Sequence, residues 1–259
     1  MSSLLLAVLI TLPVLASSLS KESLCEELSH RLWQRDLLLN VTLLNDTLSQ
    51  SRRNKCSIDT VNYDGDSALM ITVAEGLFDG FNLLLSWGAS VNVVNNLGFT
   101  PLHTACAKNR TEFALALLPL SAVGLKAENG MTAFLYSCRM GNVRLLDEFL
   151  RVRVMRGTRD GRGSSCLHLA VVSGSEGAVS LLLSNGFDVN AVDSERRRTP
   201  LMLAIQLGNE GVIKALLRHH PELHLKDFVG KRALEYAYSS RNQRIVDLMR
   251  EAYRLKSDL

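Results

Sequence analysis

Apolar residues in this chain fall in paired short runs, each pair separated from the next by a polar segment. In the first run of a pair they lie three or four apart, as Leu102 and Ala105 do, which puts them on one face of a short helix. The second runs are Phe81–Leu85, Phe113–Leu118, Val143–Leu150, Val179–Leu183, Val212–Leu217 and Ile245–Met249. Each pair opens at an equivalent residue: Ser67, Thr100, Thr132, Ser165, Thr199 and Arg232, at spacings of 33, 32, 33, 34 and 33. Nine residues after each opening stand Gly76, Asn109, Gly141, Gly174, Gly208 and Arg241. Gly and Asn accept the left-handed conformation that ends a helix, so this register predicts a turn between the two helices. A fixed period in the low thirties is the mark of a repeat architecture.

The openings have their own chemistry. In Gly98-Phe99-Thr100-Pro101-Leu102-His103-Thr104-Ala105 the Thr hydroxyl suits a helix N-cap and Pro suits the first helical position. Ser165-Cys166-Leu167-His168-Leu169-Ala170 and Thr199-Pro200-Leu201-Met202-Leu203-Ala204 repeat the theme, and Gly88-Ala89-Ser90-Val91-Asn92 or Gly186-Phe187-Asp188-Val189-Asn190 leads on to the next copy. Together these segments resemble the ankyrin-repeat family from Ile58 to about Arg254. Arg232-Ala233-Leu234-Glu235-Tyr236-Ala237 departs by lacking Thr-Pro, and Pro119 falls near the end of a second helix. The resemblance implies an all-α ankyrin solenoid of six helix–turn–helix repeats with β-hairpin tips, a non-catalytic adaptor that binds a protein through tips and concave face. It also implies that His103 and His168 hold the junction of hairpin and helix.

Ahead of the repeats, residues 1–57 read as an apolar and helical N-terminal segment, with residues 58–259 as the repeat domain. Leu24, Leu28, Leu32, Leu39 and Leu43 recur near helical spacing over residues 20–50. Ser23 with Glu26 fits a capping box, and Ser51 to Lys55 reads as a polar linker. Capping helices docked on repeat one are expected, with a dimerising helix as the alternative. Leu4–Leu15 is apolar apart from Thr11 and Pro13, too short for a spanning helix, and ends in Ala16-Ser17-Ser18. Two readings stand: a secretory signal region, or a helix covering the end of repeat one. Asn-x-Thr sequons occur at Asn40, Asn45 and Asn109, a number that chance alone supplies. Localisation is accordingly expected to be cytoplasmic, with the secretory pathway or a membrane surface as the alternative if Leu4–Leu15 is a targeting segment.

Five cysteines and no Cys-x-x-Cys argue against zinc or dithiol chemistry. Cys106 and Cys138 sit at the same place in adjacent repeats and are expected as core thiols that do not bridge, with Cys166 at a helix start. Cys25 and Cys56 could pair in a lumenal chain. His219, His220 and His224 cluster, but no fourth ligand is placed to complete a metal site. Asp64-Gly65-Asp66 lacks the rest of a calcium loop. Nucleophile elbows, phosphate-binding loops and His-Glu-x-x-His are missing. No enzyme, cofactor or metal is expected.

Charge is what singles out a surface. The net charge is only +3, yet residues 1–150 carry 11 Lys and Arg against 14 Asp and Glu, and residues 151–259 carry 18 against 12. The excess falls on the hairpins of repeats four to six: Arg153, Arg156, Arg159 and Arg162; Arg196, Arg197 and Arg198; Lys226, Lys231 and Arg232. The earlier tips carry Asp64, Asp66, Asn95, Asn96 and Glu128 instead. A continuous basic stripe is therefore expected to receive an acidic protein partner, Arg being suited to carboxylates. Anionic lipid is the alternative. Nucleic acid is not expected, since no aromatic residue is read on those tips for base stacking. Ser257-Asp258-Leu259 weakly resembles a ligand of PDZ domains.

Overall fold

The computed structural model describes residues 20–152 and 157–257. Within them lie fifteen helices: α1 Lys21–Leu32, α2 Arg35–Leu39, α3 Val41–Arg53, then six pairs. The pairs are α4 Ala68–Glu75 with α5 Phe78–Ser86, α6 Pro101–Ala107 with α7 Thr111–Leu117, and α8 Ala133–Met140 with α9 Val143–Arg151. They continue as α10 Cys166–Ser173 with α11 Glu176–Ser184, α12 Pro200–Leu207 with α13 Glu210–Leu217, and α14 Ala233–Ser239 with α15 Gln243–Ser257. The expected β-hairpin tips are tighter than strands. Among the described residues there are only isolated bridges, Val61 with Ser67, Lys126 with Thr132 and Arg159 with Ser165.

The local rules hold at both helix ends. Thr100 and Thr199 accept the backbone N–H of His103 and Met202 at 3.3 Å, ahead of Pro101 and Pro200. At the opposite ends the turn residues are left-handed, from φ 55° at Asn109 to φ 79° at Gly76, and Arg241 takes the same conformation at φ 56°. Repeat six manages without Thr-Pro because Glu235 accepts the Arg232 N–H at 2.9 Å.

The chain divides into two compact units, one ending at Asn96 and one beginning at Leu97. In the first, the helical reading of residues 20–50 resolves into three helices, broken at Gln34 and Asn40, where the backbone is extended. Asn40 caps α3 by accepting the Leu43 N–H at 3.1 Å. Helix α1 starts earlier than the Ser23–Glu26 box requires, on Ser20, which accepts the Ser23 N–H. The expected linker from Ser51 to Lys55 begins instead as the last turn of α3, with Ser51 buried and Arg52 and Arg53 exposed. Leu28, Leu32, Leu38, Leu44 and Leu48 are buried, while Leu39 points out. This helical segment docks on repeat one, as capping helices do. Trp33 Nε1 donates to the Thr60 carbonyl at 3.2 Å and Arg35 pairs with Glu75 at 3.1 Å. Gly80 packs so closely on the Leu38 carbonyl that a Cβ there would lie 2.6 Å from its oxygen. Cys25 and Cys56 are joined as a disulfide, with Cα atoms 5.4 Å apart. Leu4–Leu15 lies outside the described residues.

In the second unit α6, α8, α10, α12 and α14 pack in succession, each on the next, and their partners α9, α11 and α13 form a second row. The core is aliphatic with a small aromatic cluster, in which Phe134 meets Phe149 and Phe187 at ring separations of 5.7 and 6.1 Å. Each such side chain contributes about 1.5–3 kcal/mol through burial. One cysteine expectation needs correction. Cys138 is not a free core thiol: it is bonded to Cys166, 28 residues on, across the contact of α8 with α10. The residues that meet between neighbouring inner helices are offset from the repeat period, so equivalent positions such as Cys106 and Cys138 are not the ones that join. Cys106 remains reduced and fully buried, and burial pushes its thiol far above the ordinary range.

Candidate protein-binding surface

Successive hairpin tips are tied backbone to backbone. In the second unit, Glu128 N–H donates to the Leu97 carbonyl, Gly161 to Asn129, Ser194 to Arg162 and Phe228 to Arg196, at 2.8–3.1 Å. A side chain closes each of the last three tips. Asp160 accepts the N–H groups of Arg162 and Ser164, and Asp193 those of Arg196 and Arg198. Asp227 accepts those of Val229 and Lys231, and the Tyr236 hydroxyl at 2.7 Å. Burial works against both carboxylates of Asp193 and Asp227, but these donors outweigh it and hold each below the usual range. Tyr236 answers with a phenol pushed up to about 12, by burial first and by the Asp227 carboxylate second.

These carboxylates change the expected stripe. Arg198 is nearly buried, its Nε 3.0 Å from Asp193 Oδ2 and its Nη1 3.1 Å from Gln206, so it belongs to the hairpin. Arg159 donates to the carbonyls of Gly163 and Val192 at 2.7 Å each, bracing hairpin four against hairpin five. Both guanidiniums are occupied by the protein itself. Arg153 and Arg156 lie outside the described residues. Arg162, Arg196, Arg197, Lys226, Lys231 and Arg232 are exposed, and the inter-tip bonds keep the three hairpins that carry them side by side.

Two apolar residues missing from the sequence reading stand among them. Phe228 is 80% exposed and Val229 is 78% exposed, at the apex of hairpin six. The expectation that these tips hold no aromatic residue is therefore wrong. The cue was present, because Phe228-Val229-Gly230 falls between Asp227 and Lys231 in the register that names a tip. Beneath the tips a cavity of about 340 Å³ opens between hairpins and inner helices. Arg139, Arg162, Asp160 and Glu195 form its polar wall, and Val172 and Leu203 its apolar one.

His103 and His168 have the junction role that the resemblance implied. His168 Nε2 faces the Arg198 carbonyl at 2.9 Å and His103 Nε2 the Leu125 carbonyl at 3.1 Å. A carbonyl only accepts, so Nε2 carries the proton. Nδ1 then accepts from the backbone N–H and hydroxyl of Ser165 or Thr100. Burial lowers both imidazole pKa values, partly offset by the carbonyl contacts.

Comparison with known proteins agrees with the repeat geometry. The family described as ankyrin repeats (3 copies) matches residues 38–124, 120–193 and 186–257. The B-cell lymphoma 3 protein homolog of Mus musculus is 30% identical over 207 residues, which is 76% of this chain and 46% of that protein. Rabankyrin-5 of Mus musculus is 28% identical over 158 residues, 60% of this chain and 14% of that one. The nuclear factor NF-kappa-B p105 subunit of Gallus gallus is 29% identical over 137 residues, 51% of this chain and 14% of that one. The chain thus spans less than half the length of these relatives. With three consecutive matches running from residue 38 to residue 257, over helix pairs that keep their period, this chain belongs to the ankyrin-repeat family.

Proposed function

We propose that this chain is a non-catalytic protein-binding module whose hairpin tips in repeats four to six hold an acidic polypeptide with an apolar anchor. Ankyrin repeats are typically protein-interaction modules, and no catalytic family is detected in the chain. The observation that carries the finer reading is the exposed pair Phe228 and Val229 on a tip tied to Arg196 and flanked by Lys226 and Lys231. An aromatic residue ringed by Arg and Lys is the composition of an interface hot spot, with charge for approach and an apolar contact for retention. The charged tips and the apolar wall of the cavity suit a segment that alternates carboxylates with one large apolar residue. Anionic lipid is the competing reading for the same charges.

An Asp- and Glu-rich fluorescent peptide carrying a single Leu or Phe, titrated at low and physiological salt, tests this. The variant Arg196→Glu/Arg197→Glu/Lys231→Glu should lose at least about tenfold in affinity with an unchanged thermal midpoint. Equal binding by variant and parent would refute the assignment, as would an equal loss on changing Asn95 and Asn96. Binding to phosphatidylserine vesicles without binding to the peptide would decide for the lipid surface.

A further inference from the structure

Four of the five cysteines are paired, Cys25 with Cys56 and Cys138 with Cys166. Each bridge forms when two thiols give up two protons and two electrons to a disulfide-bearing oxidant, itself reduced to a dithiol. Such bonds persist in the secretory pathway and outside the cell, and are rare in the reducing cytosol. Two independent bridges, one in each compact unit, are an unusual provision for a cytosolic chain. The apolar run Leu4–Leu15, with Ala16-Ser17-Ser18 after it, has the length and ending of a secretory leader.

In that compartment the Asn-x-Thr sequons become substrates, and the structure separates the three. Asn109 is held in the left-handed conformation at φ 55°, and its Oδ1 accepts from Asn142 Nδ2 at 2.7 Å. Thr111 of the same sequon accepts from that same amide, so the whole sequon is locked into a contact between repeats. Asn45 is exposed, and its Oδ1 accepts from the indole N–H of Trp87 at 3.2 Å, while the Arg52 guanidinium lies over the face of that indole. Thr47, the hydroxyl of that sequon, is buried and donates to the Leu43 carbonyl at 2.8 Å. Asn40 differs in having an exposed sequon hydroxyl and an amide bonded only to its own helix cap. It stands in extended backbone at the break between α2 and α3, and both Asn40 and Thr42 are exposed. Its Oδ1 caps α3 by accepting the Leu43 N–H, a role that does not use Nδ2. A glycan on that nitrogen leaves the cap intact.

We propose that this chain folds in an oxidising, secretory compartment and carries an N-linked glycan on Asn40. In the transfer, Asn40 Nδ2 forms a bond to the anomeric carbon of an oligosaccharide carried on a lipid diphosphate. The bond from that carbon to the diphosphate oxygen breaks, the diphosphate leaves with the electron pair, and one amide proton passes to base. The inference is independent of what the hairpin tips bind.

The test is to express the full chain with a C-terminal tag in eukaryotic cells and measure its intact mass before and after a glycan-removing amidase. Alkylation in denaturant without reductant counts the thiols. One glycan and a single alkylated thiol, that of Cys106, are expected. Asn40→Gln and Thr42→Ala should both abolish the glycan, whereas Thr42→Ser, Asn45→Gln and Asn109→Gln should keep it. Thr42→Ala retains the helix cap, so its result stands even if Asn40→Gln folds poorly. An unglycosylated chain, five alkylated thiols, or a glycan that survives Asn40→Gln would each overturn the proposal.

Discussion

Asp193 and Arg198 form a closed pair inside hairpin five, carboxylate oxygen to Nε at 3.0 Å, with the carboxylate only 5% exposed. Of the three consecutive arginines at 196–198, this one supports the fold and its neighbours face solvent. Removing the Arg198 side chain takes one charge-assisted partner from a buried carboxylate that keeps its backbone donors, which costs about 1–3 kcal/mol. Arg198→Ala should therefore lower stability in chemical denaturation by about that amount. Arg197→Ala, at an exposed tip, should stay within about 0.5 kcal/mol of the parent. Equal losses from the two would mean the pair does not close the hairpin.

The two junction imidazoles make stability depend on pH in a definite direction. Their folded pKa values lie below the ordinary 6.5, with burial as the main cause. Each Nδ1 accepts hydrogen bonds, so a second proton there would break them. For His168 the charges nearby work in opposite directions, Asp193 favouring the cation and Arg159 and Arg198 opposing it. The unfolded chain binds protons first, so this contribution is complete above the unfolded value of 6.5 and is lost as pH falls from there towards the folded values. Thermal midpoints measured between about pH 8 and about pH 5 should fall on acidification. The double variant His103→Asn/His168→Asn should start lower and vary less over that interval.

The repeat was legible because each element is set locally. The residues 67, 100, 132, 165, 199 and 232 each sit at a helix N-cap, and the left-handed residue closes each turn nine places on. Arg241 shows that the position, not the residue type, determines the conformation. What escaped reading depends on contacts between repeats. Cys138 meets Cys166 at an offset of 28, which no inspection of a 33-residue period brings out. The stripe was legible as charge but not as accessibility, since Asp193, Gly163 and Val192 take up two of its guanidiniums. Phe228 is present in the tip register, but its exposure is set by the hairpin's fold, and an apolar residue beside Asp227 reads equally well as core.

The bridge from Cys138 to Cys166 closes a loop of 28 residues in an otherwise locally connected unit. Chain-entropy arguments give about 3–4 kcal/mol for a loop of that size, mostly by constraining the unfolded chain. Reduction, or the paired change Cys138→Ala/Cys166→Ala, should lower the thermal midpoint by several degrees while helical circular dichroism in the cold stays the same. A midpoint indifferent to reductant would mean that the bond adds nothing to the packing of α8 on α10.

Gly130 and Gly208 share a backbone conformation, φ 75° in both, but not their surroundings. A Cβ on Gly130 would lie 2.7 Å from the Gly161 nitrogen, whose N–H makes the bond from hairpin four to the Asn129 carbonyl. A Cβ on Gly208 would meet nothing within 4 Å. Gly208→Ala should cost only the left-handed strain, about 1 kcal/mol. Gly130→Ala should cost that and about 1 kcal/mol more for the displaced hydrogen bond. Equal costs in urea unfolding would show that the link between tips carries no stability.

Phe228 and Val229 supply the sharpest test of the binding surface, because their exposure separates folding from recognition. With about four-fifths of each residue in solvent, neither contributes appreciably to the core. Phe228→Ala and Val229→Ala should leave the thermal midpoint where it is, and Phe228→Ala should weaken the acidic peptide about tenfold or more. The loss should appear in dissociation, since an apolar anchor acts after contact, whereas Arg196→Glu should slow association and flatten its salt dependence. If both changes altered only association, the tips would act as a charged approach surface with no seated anchor. If Phe228→Ala lowered the midpoint by several degrees, the side chain would be part of the fold, and the cavity walled by Val172 and Leu203 would be the better place to seek the anchor.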